Sequence, residues 1–163
     1  MTGALSFVGN QFRKFSKFKD VDEVSLIDNQ PDVISFKNYD VVLHLAAIVH
    51  QKKSIPTEVY FKVNRDLAFE VAQKAKSEGV KQFIFFSTLK VYGTRKKDGQ
   101  IQNEESECFP DDPYAKSKYE AEELIKGLSD TDFVVSIIRP SLVYGIGVKA
   151  NMAKLFKLVK QFK

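Results

Sequence analysis

Apolar residues in this chain fall into short unbroken runs separated by stretches with helical spacing. Asp40-Val-Val-Leu-His-Leu-Ala-Ala47 is one run and Gln82-Phe-Ile-Phe-Phe-Ser87 a second; Phe133-Val-Val-Ser-Ile-Ile-Arg139 is a third, halted by Pro140. Runs of this length without alternation are the pattern of strands buried on both faces. Val24-Ser-Leu-Ile-Asp28 reads as a further strand, ending in a carboxylate and followed by a turn at Asn29 to Asp32. Residues 57–78 carry Val63, Leu67, Val71 and Ala75 at helical spacing, and Gly79 ends that helix. Phe12, Phe15 and Phe18 recur among cations in residues 10–19, a short amphipathic helix after an opening loop. Asp112 caps another helix with Pro113 in its first turn, running to about Lys126. Residues 149–163 place Met152, Leu155, Phe156, Val159 and Phe162 on one side and lysines on the other. Strands alternating with helices predict an α/β fold, a parallel sheet covered on both faces.

Length and composition narrow the classes. At 163 residues the chain is one domain, able to bury roughly 70% of its unfolded surface. The net charge of +4 is spread over every segment without an aromatic-interleaved basic block, so nucleic acid finds no support. Cys108 is alone, which excludes an internal disulfide. No apolar run resembles a signal peptide or reaches membrane-spanning length, and the reading is a cytoplasmic protein. The basic tail is read as a packed helix with a solvated face; its apolar stripe is too narrow, and lacks the Trp, of a membrane-surface helix.

Candidate chemistry centres on Tyr114 and Lys118, four apart on one helical face. A neighbouring cation favours a phenolate, so this pairing is expected to draw the phenol down toward working pH, where it exchanges a proton with a sugar or alcohol hydroxyl as a hydride leaves the adjacent carbon. The spacing alone is a weak signal. Tyr92 and Lys96 repeat it, but beside Gly93 and the charged run Arg95 to Asp98 they read as loop.

Other constellations gain weight beside that pair. Gly3 and Gly9 bracket a loop suited to passing close to a pyrophosphate at a helix N-terminus, although Ser6 stands where the middle glycine is expected and an ordinary turn explains the pattern alone. Asp28, 25 residues after Gly3, is positioned for the adenine ribose hydroxyls and would repel a 2′-phosphate, favouring NAD over NADP; a solvated loop Asp is the plainer account. Ser87 and Thr88 close a buried strand, where a hydroxyl faces the crevice of an open α/β sheet or simply caps the next turn. His44 reads as a packed or hydrogen-bonded core residue, since neither it nor His50 has an acid or metal-ligand partner at a suitable spacing; no metal is expected. The small residues after His44 let a ribose approach the backbone.

Together these segments resemble the extended short-chain dehydrogenase/reductase family in its nucleotide-sugar epimerase/dehydratase branch. Thr2-Gly-Ala-Leu-Ser-Phe-Val-Gly9 is similar to its glycine motif, Val42-Leu-His-Leu-Ala-Ala47 to the motif after its fourth strand, and Phe85-Phe-Ser-Thr-Leu-Lys-Val-Tyr-Gly93 to its catalytic Ser/Thr strand. Tyr114 to Lys118 matches Tyr-x-x-x-Lys, and Arg139-Pro-Ser-Leu-Val-Tyr-Gly145 the segment lining the nicotinamide end. Val63-Asn-Arg-Asp-Leu-Ala68 and Gly145-Ile-Gly-Val-Lys-Ala-Asn151 are similar to members from capsule or O-antigen sugar clusters, labelled epimerases or 4-keto reductases of UDP-sugars. The resemblance implies a Rossmann-like doubly wound parallel sheet. Its implied catalytic residues are Thr88, Tyr114 and Lys118. Gly3, Ser6, Phe7, Val8, Gly9, Asp28, Leu45, Ala46, Ala47, Asn64, Lys118 and Pro140 would line NAD, and the partner would be a UDP-sugar.

Two departures from the family shape the expectation. An apolar strand precedes the glycine motif in the family, and a substrate-gripping domain follows the Arg139 segment; neither stands in this sequence. The chain is therefore expected to be truncated, with residues 1–148 a partial NAD-binding Rossmann domain and 149–163 the first helix of a substrate-binding region. The rival expectation is a non-catalytic dinucleotide-binding or interaction module, and an unpaired sheet edge would favour a homodimer.

Overall fold

The computed structural model describes residues 1–27, 31–49, 55–94, 101–148 and 150–161. Asp28, His50, Lys96 and Phe162 lie outside these. Three strands, β1 (Val41–His44), β2 (Gln82–Phe86) and β3 (Val134–Ile138), form a parallel sheet in the order β1-β2-β3. Val42 is in register with Phe83 and through it with Val135, and His44 with Phe85 and Ile137. Parallel neighbours need long crossovers, and helices supply both. Between β1 and β2 run α2 (Thr57–Phe61), a π-helical turn over Lys62–Asp66 and α3 (Leu67–Ser77). Between β2 and β3 come a 3₁₀ turn at Leu89–Tyr92 and α4 (Pro113–Lys126). The single helix predicted over 57–78 is thus one helical stretch with a wide turn in its middle, and Gly79 closes it at φ 84.

The core forms where the side chains of α3 and α4 meet one face of the sheet. Ala68, Val71, Ala72 and Ala75 of α3 and Ala121 and Ile125 of α4 pack with Val42, Phe83 and Phe85. Three alanines let α3 approach closely, leaving room for the two Phe rings. The opposite face differs from the sequence expectation. Val41, Val134 and Ile138 are exposed there, so among the described residues only one face is fully covered.

Two elements flank this unit. α1 (Phe7–Phe15) begins three residues before the predicted helix, because Ser6 caps it; Phe18 lies beyond its end and stacks on Phe12. α5 (Ala150–Gln161) follows a segment whose Gly145 lies against the Phe7 ring, and Gln11 of α1 donates to the Ile146 carbonyl at 3.3 Å. Of the strand predicted over Val24–Asp28, the described residues Val24 to Ile27 make one bridge and no ladder. Val24 pairs with Thr2, which on its other side pairs with His44, both in parallel. Past Thr2 the chain turns away at Gly3 into the loop before α1, so Ser25 to Ile27 form no ladder with it, although Val24 and Leu26 still pack on the core.

Candidate active site

Thr2 lies beside the end of β1, between His44 and Val24. Its N–H donates to the Leu43 carbonyl (3.0 Å) and its carbonyl accepts from Leu45 N–H (3.3 Å), which sets the following loop against the turn after β1. Gly3 then adopts φ 68, and a Cβ on it would lie 2.6 Å from the Ala46 nitrogen. Gly9 is equally constrained, its Cβ falling 2.6 Å from the Ala4 carbonyl oxygen. Both glycines are required by close backbone approach. Ser6 needs no glycine: it has φ −68, and its Oγ accepts the Gly9 N–H at 3.0 Å. That removes one donor from the start of α1 but leaves the geometry in which Phe7 and Val8 N–H groups point out of the helix, with no acid in the first turn to repel an anion. This tight loop at a helix N-terminus fits a dinucleotide pyrophosphate.

The Leu45–Ile48 turn forms the adjoining wall, and buried Asn64 holds it. Asn64 Oδ1 accepts Ile48 N–H at 2.8 Å, while its Nδ2 donates to the Ile48 carbonyl (2.9 Å) and to Ser117 Oγ (3.1 Å). With its amide so engaged, Asn64 shapes the wall by tying the turn to α4. Pro140, across the sheet, accepts from Leu89 N–H at 3.1 Å and so joins the β3 exit to the turn that carries Thr88.

Thr88 and Tyr114 meet at the carboxyl end of β2. Thr88 caps the 3₁₀ turn, its Oγ1 accepting Lys90 N–H at 3.3 Å, and its hydroxyl is hydrogen-bonded to the Tyr114 phenol. The capping role weighed from the sequence is present, and the same side chain also bonds Tyr114. Asp112 fixes the other side: Oδ1 accepts Ala115 N–H at 2.7 Å to cap α4, and Oδ2 pairs with Lys90 Nζ at 2.5 Å. The same carboxylate therefore anchors both the helix bearing Tyr114 and the turn bearing Thr88. The Tyr60 ring packs edge-on against Tyr114 at 6.4 Å.

Lys118 is buried on the same face of α4, its Nζ 3.8 Å from the centre of the Phe85 ring. Burial pushes its pKa down to about 7, with Glu122 opposing. The phenol moves the other way from the sequence expectation. Burial raises the Tyr114 pKa; the Thr88 hydrogen bond pulls it back in part and the Asp112 charge adds to the rise. The physical reason is that desolvation disfavours the phenolate, while the Lys118 ammonium is drawn inward over an aromatic ring.

His44 confirms its reading as a core residue. Its ring stacks on Phe83 and Phe85 at 5.7 and 5.9 Å, and its Nδ1 is 3.1 Å from Thr2 Oγ1. Burial drives its pKa down to about 3, with Lys118 acting in the same direction. Between pH 6.5 and 3 the unfolded chain binds a proton at His44 that the folded chain refuses, so folding stability falls as pH drops through that window. Urea midpoints measured between pH 7 and 4 are expected to fall less steeply in His44→Gln than in the wild type.

The sequence reading names Arg139 only within the segment matched to the nicotinamide end and sets Tyr92 aside, and it misses Glu122 and the cluster the three form. Glu122 is fully buried, Arg139 binds it with Nε and Nη2, and Tyr92, set aside above as loop, is buried with its Oη accepting from Arg139 Nη1 at 2.7 Å. A signal was available: Glu122 interrupts the apolar stripe of Tyr114, Ala121 and Ile125, and a carboxylate on a core-facing stripe requires a counter-ion.

A helix-covered parallel sheet with a glycine loop at a helix N-terminus and a wall turn at its carboxyl end defines a Rossmann-like fold. The family model for the NAD dependent epimerase/dehydratase family matches residues 1–163, and the chain belongs to that family. It is 41% identical over 132 residues to UDP-glucose 4-epimerase of Vibrio cholerae, covering 78% of this chain and 40% of that protein. It is 33% identical over 129 residues to N-acetyl-alpha-D-glucosaminyl-diphospho-ditrans,octacis-undecaprenol 4-epimerase of Escherichia coli O157:H7, covering 76% of this chain and 36% of that one. The chain thus spans about two fifths of the length of these relatives. Among solved structures, dTDP-glucose 4,6-dehydratase DesIV of Streptomyces venezuelae, with NAD and TYD bound, superposes with a TM-score of 0.78 over 98% of this chain and 61% of that one, at 22% identity. RMD of Pseudomonas aeruginosa complexed with NADPH superposes with a TM-score of 0.73 at 25% identity, over 98% of this chain and 60% of that one. No helix among the described residues is long and apolar enough to cross a membrane.

Proposed function

We propose that this chain is the cofactor-binding and proton-transfer part of an enzyme that oxidises or reduces C4 of a nucleotide sugar, UDP-linked by similarity to the Vibrio cholerae relative. The observation that carries the reading is the Thr88–Tyr114 hydrogen bond at the sheet end, with Lys118 one helical turn along the same face. Bound NAD would supply the hydride acceptor. Gly3, Ser6, Phe7, Val8 and Gly9 would hold its pyrophosphate, with Leu45 to Ala47 and Pro140 along the walls; Asp28 would select the unphosphorylated ribose. Lys118 would reach the ribose hydroxyls. Tyr114, kept protonated by burial, donates its proton to the C4 oxygen in the reductive direction and recovers it in the oxidative one, while Thr88 orients the same oxygen. Residues 1–148 are read as part of the NAD-binding domain and 149–163 as the start of a substrate-binding region.

Calorimetry tests the cofactor half directly. The wild-type chain is expected to bind NAD, and Gly3→Val to lose at least about tenfold in affinity, because the added side chain meets the Ala46 backbone at a positive φ. A wild-type chain that shows no heat with NAD would overturn the reading. Binding of NAD with no turnover of any UDP-hexose is expected both of this part of an enzyme and of a non-catalytic dinucleotide-binding module.

A further inference from the structure

Several segments of the chain meet at Arg139, and its backbone neighbours and its side chain hold different ones. Ser87 N–H donates to the Ile138 carbonyl at 2.7 Å and Leu89 N–H to the Pro140 carbonyl at 3.1 Å, so the residues on either side of Thr88 are held by the residues on either side of Arg139. The side chain reaches α4 and the far end of the turn. Its Nε lies 3.1 Å from both carboxylate oxygens of Glu122, and Nη2 lies 2.6 Å from Oε2, a fork on the carboxylate. Nη1 donates to Tyr92 Oη at 2.7 Å and to the Glu104 carbonyl at 3.4 Å, with the guanidinium 4.9 Å from the centre of the Tyr92 ring. Tyr92 is the last residue of the 3₁₀ turn that Thr88 caps.

We propose that Arg139 is a positioning residue for the Thr88–Tyr114 pair: by holding Glu122 with one edge of its guanidinium and Tyr92 with the other, it fixes the turn bearing Thr88 against the helix bearing Tyr114. Two elements tied at one point can still pivot about it. Lys90 and Asp112 supply one tie, from the turn to the cap of α4. Glu122 lies about two turns beyond Tyr114, roughly 12 Å along the helix axis, so the second tie is well separated from the first and removes the pivot. A guanidinium suits this task, because its planar set of donors can serve a carboxylate and a phenol at once in a fixed relative orientation. Glu122 and Tyr92 are both buried, which keeps water from competing for either contact. The catalytic meaning rests on the reading above, in which Thr88 and Tyr114 hold the same sugar oxygen; the contacts themselves stand without it.

The Tyr114 phenol is the reporter, read by NMR of ζ-carbon-labelled tyrosines in the full chain without cofactor and identified by its loss in Tyr114→Phe. That phenol answers to burial, to the Thr88 hydroxyl and to the Asp112 charge. Thr88→Val gives the signal of a phenol without its threonine partner. Glu122→Leu with Arg139→Met removes the clamp without leaving a lone buried charge, so the protein is expected to fold while the Tyr114 signal moves most of the way to its Thr88→Val position. Tyr92→Phe, which removes only the hydroxyl at the end of the turn, should move it the same way by a smaller step. A double variant that folds with the Tyr114 signal at its wild-type position would overturn the proposal and leave Glu122 and Arg139 a purely structural pair. Should the double variant fail to fold, Tyr92→Phe decides: an unmoved signal overturns the proposal. Absence of NAD binding would overturn only the preceding reading, because the phenol signal needs no NAD.

Discussion

Glu122→Gln is expected to lower the unfolding free energy by about 3–5 kcal/mol, because a wholly buried site loses its charge and the part-buried Arg139 guanidinium its counter-ion. Glu122 has no exposed surface and accepts three contacts from Arg139. A Gln retains one acceptor oxygen but no charge, and its amide N–H₂ is directed at a donor. Replacing both partners with apolar residues of similar volume, Glu122→Leu with Arg139→Met, is expected to recover most of the loss, because two desolvation penalties vanish together. The Tyr92 hydroxyl then loses its donor, which sets a residual cost of about 1 kcal/mol. Urea midpoints of the two singles and the double form the cycle that separates pair from context. Equal stability of Glu122→Gln and wild type would show that the pair contributes nothing to folding.

The second large effect concerns Tyr114. In any form of the protein that turns over a UDP-hexose, Tyr114→Phe should reduce kcat by about 10²–10⁴-fold, the usual worth of a positioned acid or base. The NAD dissociation constant should stay within about twofold. The phenol ring remains to pack on Tyr60, so the change removes only the hydroxyl that binds Thr88. Retention of wild-type kcat would show that Tyr114 does not carry the proton. A fall in NAD affinity equal to the fall in rate would show a structural role instead.

Much of this site was legible before folding because its signals are local. A four-residue interval on a capped helix places Tyr114 and Lys118 on one face wherever that helix lies, and Asp112 with Pro113 announces the helix. Unbroken apolar runs marked β1, β2 and β3 to within two or three residues of their ends. Gly3 and Gly9 stood out as bracketing a turn; the structure keeps Gly3 in the loop, places Gly9 inside α1 and adds the reason for both, since either Cβ would enter neighbouring backbone. What escaped depended on residues far apart in the chain. Glu122 and Arg139 are 17 apart and Tyr92 and Arg139 are 47 apart, so no spacing rule joins them. Asn64, which the resemblance places along the cofactor, also bonds Ile48 and Ser117 through its amide, partners 16 and 53 residues away.

By itself, then, the sequence determined the elements, their order and the face on which Tyr114 and Lys118 stand, because hydrogen bonding and side-chain periodicity act over a few residues. Tertiary structure alone decided the ionisation of those groups and the extent of the sheet. The direction of the Tyr114 and Lys118 pKa shifts follows from how much water each loses, a property of everything packed around them. Val24 to Ile27 had the composition of a strand but only a single bridge to Thr2, because a strand exists only where another backbone lies alongside to pair with it.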